Sequence, residues 1–238
     1  MLYENYIKYY NLNYDWIFII KYNDYNIKIN MEEDSILNIP CKVIVVGDSG
    51  VGKTSVIFRY INQYKKDTFS TVCTSFYIKS VIINNIKITF QLWDTVGQEK
   101  YRSVNNIFYK DAKICLMIYD ITNENSFKSI KDYWYDAVKK NGTEGIIFGV
   151  AGNKNDLYID ENVDRNEVKT FCENINAILK FTSATTDECI EELFKQLAEK
   201  FIESDFVKTK PEFRDNSRKI NFKISKKGKK EKNCCKNK

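Results

Sequence analysis

The stretch Gly47-Asp48-Ser49-Gly50-Val51-Gly52-Lys53-Thr54-Ser55 decides how this chain folds, because it leaves an apolar run, Cys41 to Val46, and opens into a helical pattern. A strand, a glycine-rich loop and a helix in that order form a phosphate-binding loop of the type G-x-x-x-x-G-K-[ST]. Gly47, Gly50 and Gly52 let the backbone wrap with its N–H groups inward, Asp48, Ser49, Val51 and Ser55 complete the cradle, and the helix beginning at Lys53 presents its positive end. Lys53 reaches the β and γ phosphates and Thr54 ligates Mg²⁺. The loop by itself does not separate ATP from GTP.

Outward from it, strand-like runs alternate with helical ones. Strands are expected at 41–46, 76–83, 86–93, 113–119, 146–152 and 177–181, and helices at 53–63, 100–109, 125–140, 164–175 and 187–204. The last helix is the clearest: Asp187 suits an N-cap, and Ile190, Leu193, Phe194, Leu197, Phe201 and Ile202 recur at helical spacing. Asn84-Asn85 between two alternating runs predicts a hairpin. The fold class is therefore α/β: a P-loop NTPase with a six-stranded, mostly parallel sheet, one antiparallel strand, and helices on both faces. In such sheets ligands lie at the carboxyl ends of the strands.

The residues at those ends carry the chemistry. Asp94, in Trp93-Asp94-Thr95-Val96-Gly97-Gln98-Glu99, is placed to hold the Mg²⁺ shell through water. The Gly97 amide can bond the γ phosphate, and Gln98, both donor and acceptor, can orient a water for in-line attack. Asp-x-x-Gly alone is a common turn. After the fifth strand comes Asn153-Lys154-Asn155-Asp156 and after the sixth Thr182-Ser183-Ala184. The Asp156 carboxylate can accept both the N1 and N2 protons of guanine, whereas adenine would leave it unpaired. Lys154 lays its stem along the base, Asn153 ties the loops together, and a backbone N–H near Ala184 meets guanine O6, with Ser183 beside it. Four motifs in this order, each after a strand, point to a guanine nucleotide.

Composition narrows the chemistry further. The 238 residues contain no histidine, which excludes histidine bases, Ser-His-Asp and Cys-His sites, and histidine-ligated metals. None of the seven cysteines is in CxxC spacing, so neither a zinc site nor a disulfide framework is expected, and a reducing cytosol is the expected setting. The longest apolar runs, Trp16 to Ile20 and Ile114 to Tyr119, are too short to span a bilayer or to form a signal-peptide core. No nucleic-acid partner is expected. Charge is segregated: residues 208–238 hold 13 basic side chains against three acids, +10, which leaves −5 on the rest of a chain whose net charge is +5. Such a tail is expected to be disordered, and read alone it is a solvated charge run.

Three domains follow: 1–39, a biased extension; 40–204, the nucleotide-binding body; and 205–238, the basic tail. In the first 30 residues seven Tyr, six Asn and six Ile leave little room for anything else, and no specific fold is expected there. Translation from Met31 is the corresponding expectation, and any peptide from residues 1–30 in a mass spectrum of the endogenous protein would refute it. Leu2 rules out N-myristoylation from Met1.

Over residues 40–204 the chain resembles a Ras-superfamily small GTPase, and within that group it is most similar to the Rab family. The resemblance rests on the four nucleotide motifs, on Thr71-Val72-Cys73-Thr74-Ser75-Phe76, Ile88 to Trp93, Lys100 to Val104, Phe108 to Ala112 and Met117 to Thr122. It implies that Thr71 is a second protein ligand of Mg²⁺, engaged with GTP, that the Tyr64 ring stacks on guanine, and that Phe76, Trp93 and Phe108 form an effector-binding hydrophobic triad. It also implies that Cys234 and Cys235, at the end of the basic tail, carry geranylgeranyl groups; two lipid chains plus lysines anchor firmly where one chain does not. Departures from the family pattern are Val96 for alanine, Thr185 for lysine, Cys73 for glycine, and an interval from Thr54 to Thr71 one residue short.

The resemblance then implies a GTP/GDP switch in vesicular traffic. GTP hydrolysis is slow unless an activating protein supplies an arginine, and Lys53, Gly97 and Gln98 are the catalytic groups. Implied partners are an exchange factor, an activating protein, effectors, an escort protein, a dissociation inhibitor and, through the prenylated tail, the cytoplasmic face of an intracellular membrane, with a soluble cytosolic pool. Two alternatives stand beside this reading: a hydrolysis-deficient, guanine-nucleotide-dependent scaffold, if Val96 blocks the attacking water, and an ATP-dependent enzyme, against which Asp156 argues.

Overall fold

A computed structural model describes residues 37–62, 75–95 and 108–209 in full, together with the backbone of strands at 7–12, 15–22, 25–32 and 223–226. The chain divides into two units, Met1–Ile36 with Pro211–Lys238, and Leu37–Lys210.

The smaller unit differs from the expectation of no specific fold at either end of the chain. Strands Ile7–Leu12, Asp15–Tyr22, Tyr25–Glu32 and Lys223–Lys226 form one antiparallel sheet in that order. Ile20 faces both Ile7 and Ile27, and Ile27 in turn faces Ile224. The cause is the bias itself: aromatic and β-branched residues favour extended backbone, so a Tyr- and Ile-rich segment has a strand preference that the composition reading left unused.

In the larger unit, β1 (Leu37–Val46), α1 (Lys53–Tyr60), β2 (Ser75–Ile83), β3 (Ile86–Asp94), β4 (Ile114–Asp120), α2 (Glu124–Ser129), α3 (Tyr135–Asn141), β5 (Ile147–Asn153), α4 (Arg165–Asn174), β6 (Ile178–Phe181), α5 (Ile190–Ile202) and α6 (Asp205–Lys208) follow in chain order. The sheet runs β2-β3-β1-β4-β5-β6, with β2 antiparallel to β3 and every other pairing parallel. Between β2 and β3, Asn84 and Asn85 adopt φ of 49° and 61°, the left-handed pair of a two-residue hairpin turn.

Central strands β4 and β5 are buried at every position, as parallel strands covered on both faces must be. On one face α5 buries Leu193, Phe194, Leu197 and Phe201, and Phe194 stacks on Tyr60 of α1 with ring centroids 3.8 Å apart. On the other face Phe127, Ile130, Trp134, Val138, Val168 and Cys172 close over Ile44, Val46, Cys115 and Met117.

Most element ends lie within one to three residues of the sequence reading, with α1 ending at Tyr60, and four differences have a structural cause. Strand β1 begins at Leu37 and carries Pro40, because only β3 pairs with it there and β4 joins at Val43; a proline is tolerated where one side of the strand is open. The helix expected over 125–140 is interrupted by a π-helical turn, Ile130–Trp134, between α2 and α3. Asp187 does not cap α5: Ser183 and Glu188 exchange backbone hydrogen bonds of 3.2 and 3.0 Å, which uses up the intervening residues in a tight turn and starts the helix after Cys189. Finally, the body runs past 204 into α6, whose Val207 is fully buried. Of the helix expected at 100–109, only Phe108 and Tyr109 lie within the described residues.

Candidate functional site

The site lies at the carboxyl ends of β1, β3, β5 and β6 and is built from the loops that follow them. The loop after β1 turns through Gly47, Gly50 and Gly52 at φ of 143°, 80° and 95°. A Cβ on Gly47 would lie 2.1 Å from the Ile118 carbonyl oxygen, so only glycine lets the loop leave the sheet against β4. Lys53 folds back from the first residue of α1, and its ammonium donates to the carbonyls of Gly47 (2.9 Å) and Asp48 (2.8 Å). Burial pushes this ammonium down to about 8, while the nearby carboxylates of Asp94 and Asp48 oppose the shift. It is a buried cation at the mouth of a loop built to take anions.

The next residue, Thr54, donates its hydroxyl to Asp94 Oδ2 at 2.6 Å, joining the start of α1 to the end of β3. Asp94 is fully buried, and Thr95 secures the chain behind it by donating to the Val45 carbonyl at 2.7 Å. A hydroxyl and a carboxylate are hard oxygen donors, which fit Mg²⁺; that ion needs only one or two protein oxygens beside water and phosphate. The described residues contain no cluster of three His, Cys, Asp or Glu side chains that could hold a metal unaided.

Where β5 ends, Asn153 is almost fully buried and donates from Nδ2 to the Val51 carbonyl at 2.8 Å, linking the loop after β5 to the loop after β1. Thr182 donates to Asn153 Oδ1 at 3.4 Å, which adds the loop after β6. Lys154, in the left-handed region at φ 66°, pairs its ammonium with Asp120 Oδ2 at 2.5 Å. Asp156 accepts from the Ser183 hydroxyl at 2.5 Å, and Ser183 Oγ accepts from the Thr186 amide at 3.1 Å. Ser183 and Ala184 are both buried. The Asp156 carboxylate is thus held by the loop after β6, which also carries Ala184.

Three residues of this network were missed by the sequence reading. Asp120 closes β4 and is oriented by the amide and hydroxyl of Thr122, both on Oδ1, leaving Oδ2 for Lys154. The rule that site residues follow strands would have found it. Arg59, in the last turn of α1, donates to the carbonyls of Ala184 (2.7 Å) and Thr185 (2.9 Å), 125 and 126 residues away. Trp134 donates its indole N–H to Asp48 Oδ1 at 2.9 Å. No sequence signal foretells either of these long-range contacts.

Away from the loops, Phe76, Trp93 and Phe108 touch in series, with ring centroids 5.1 and 5.7 Å apart. Phe76 is exposed and the other two are half-buried. Tyr64, Thr71, Gly97, Gln98, Cys234 and Cys235, and the departures at Cys73 and Val96, lie outside the described residues.

Comparison with known proteins places these features in a family. A family model described as Ras family matches residues 42–203. The Ras-related protein Rab-1 of Theileria parva is 37% identical over 158 residues, which cover 66% of this chain and 72% of that protein. Rab5 of Nicotiana tabacum is 31% identical over 164 residues (68% and 82%), and human Rab-31 is 36% identical over 158 (66% and 80%).

Proposed function

Since this chain belongs to the Ras family, as a Rab member of that superfamily and hence a GTPase, we propose that it works as a membrane-traffic switch whose GTP-bound form recruits effectors. The observation that carries the nucleotide reading is the joining of three loops: Asn153 to Val51, Thr182 to Asn153, and Ser183 to Asp156. These bonds join the loop that would hold the phosphates to the loops that would hold guanine, which supports the reading.

In this reading the backbone from Gly47 to Ser55 and the Lys53 ammonium hold the phosphates, while Lys154, Asp156 and the backbone at Ser183 and Ala184 hold guanine with Tyr64 stacked on it. Thr54, Thr71 and, through water, Asp94 would hold Mg²⁺, which would supply positive charge to offset that of the phosphates. Gly97 senses the γ phosphate through its amide. Gln98 orients the attacking water, and an activating protein supplies the stabilising arginine. Loss of the γ phosphate releases Thr71 and Gly97, so the segments that carry them relax. Effectors read that change at Phe76, Trp93 and Phe108, and lipids on Cys234 and Cys235, with the basic tail, keep the protein at a membrane. No helix among the described residues is long and apolar enough to cross one.

Single-turnover hydrolysis of GTP and ATP in Mg²⁺, with and without an activating protein, tests this function. The expected result is tight GTP and GDP binding, slow unaided turnover and strong stimulation. Gln98→Leu should keep nucleotide affinity and lose the stimulation; a normal stimulated rate in that variant contradicts the role given to Gln98.

A further inference from the structure

The π-helical turn between α2 and α3 gives an inward-facing tryptophan a second task. An α-helix advances about 100° per residue, so residues four apart overshoot a full turn by about 40°. Ile130, Trp134 and Val138 are spaced by four and all three are fully buried in one cluster with Val46, Cys115 and Met117. In an unbroken α-helix two such steps would carry Val138 about 80° away from Ile130. The wider turn at Ile130–Trp134 absorbs the extra residue and keeps all three side chains on the sheet.

That register sets the Trp134 indole N–H 2.9 Å from Asp48 Oδ1. Asp48 is the second residue of the phosphate loop, and its backbone carbonyl is one of the two acceptors for Lys53. A half-buried carboxylate at this position sets a negative charge beside the place where a polyphosphate binds, an arrangement that opposes binding. Two consequences follow from the hydrogen bond. It satisfies the carboxylate, and it holds the side chain toward the buried cluster in which Trp134 is packed.

We propose that Trp134 is a positioning residue of the nucleotide site: by hydrogen-bonding Asp48 it keeps a negative side chain turned away from the phosphates and fixes the loop carbonyl that seats Lys53. This inference rests on the reading of Gly47 to Ser55 as the phosphate loop. It also gives α2, the π turn and α3 a direct hold on that loop, since any shift of this helical face moves the indole.

The test is a double-mutant cycle on the full chain, read as the dissociation rate of a fluorescent GDP analogue in Mg²⁺. Trp134→Phe keeps most of the aromatic packing and removes the N–H; it should release the nucleotide about 10-fold faster, in line with the loss of one hydrogen bond to a charged group. Asp48→Asn removes the charge and keeps an acceptor, and its own release rate is the reference for the double variant. In the double variant the rate should lie within about 2-fold of that of Asp48→Asn alone, because no carboxylate remains to swing toward phosphate. Equal acceleration by Trp134→Phe with and without Asp48→Asn would overturn the proposal and leave Trp134 as packing alone; so would release by Trp134→Phe at the wild-type rate. Failure of the wild-type chain to bind the analogue would instead overturn the phosphate-loop reading on which the proposal rests.

Discussion

Replacing Asn153 by alanine removes the side chain that joins the two halves of the nucleotide site. Its Nδ2 donates to the Val51 carbonyl at 2.8 Å, and both residues are almost fully buried, at 2% and 1% exposure. Truncation thus leaves the Val51 carbonyl without the donor that now satisfies it, in a place where water is excluded. Leaving such a group unsatisfied costs about 1–3 kcal/mol. The contact from the Thr182 hydroxyl to Oδ1, at 3.4 Å, is too long to add much. At 1.4 kcal/mol per tenfold, about 2 kcal/mol corresponds to roughly a 30-fold weaker hold on nucleotide if the whole penalty falls on the bound conformation of the loops. Release of a fluorescent GDP analogue measures that hold, and thermal unfolding of the GDP-loaded protein shows how much of the loss falls on the fold instead. Release and melting temperature both unchanged would refute the reasoning, since the penalty must appear in one of them.

Lys53 and Val207 carry the further expected outcomes. The Lys53 ammonium, pushed by burial down to about 8 from an ordinary lysine value near 10.5, regains its proton when a phosphate lies beside it. Nucleotide binding above pH 8 should therefore take up a proton, and GDP affinity should fall as pH rises from 8 towards 10; calorimetry in buffers of different ionisation enthalpy reads the uptake directly, and pH-independent affinity over that range contradicts it. From the same shift alone, fold stability should rise with pH between 8 and 10.5, where the unfolded chain holds the extra proton. Separately, Val207→Ala empties a fully buried position in α6 and should cost about 2 kcal/mol, lowering the melting temperature by ~4–8 °C; an unchanged melt would show that α6 is not part of the packed body.

Periodicity and spacing were enough for the architecture of the larger unit. The runs that became β4 and β5 are apolar throughout because both faces of a central parallel strand are covered, and this property is written locally in the side chains. The hairpin was legible for a similar reason: Asn84 and Asn85 tolerate the positive φ that a tight two-residue turn demands. The phosphate loop was legible because glycine is required where Cβ would strike the neighbouring strand, as at Gly47. The same local logic failed at Asp187, whose capping preference lost to the backbone pair between Ser183 and Glu188. In the first 30 residues the abundance of Tyr and Ile favours extended backbone, and strands Ile7–Leu12, Asp15–Tyr22 and Tyr25–Glu32 form there.

By itself, then, the order of residues determined which side chains stand at the strand ends, that a carboxylate, Asp156, is among those that follow them, and that no histidine takes part. Tertiary structure alone decided which of these groups meet. Arg59 finds the Ala184 carbonyl, Trp134 finds Asp48, Asp120 orients Lys154, and Val207 closes the body beyond its expected end. The physical reason is one of range. Turn chemistry and amphipathic periodicity act over a few residues and leave a mark in the sequence, whereas a hydrogen bond across 86 or 125 residues exists only because the sheet and its covering helices have already fixed where both ends lie.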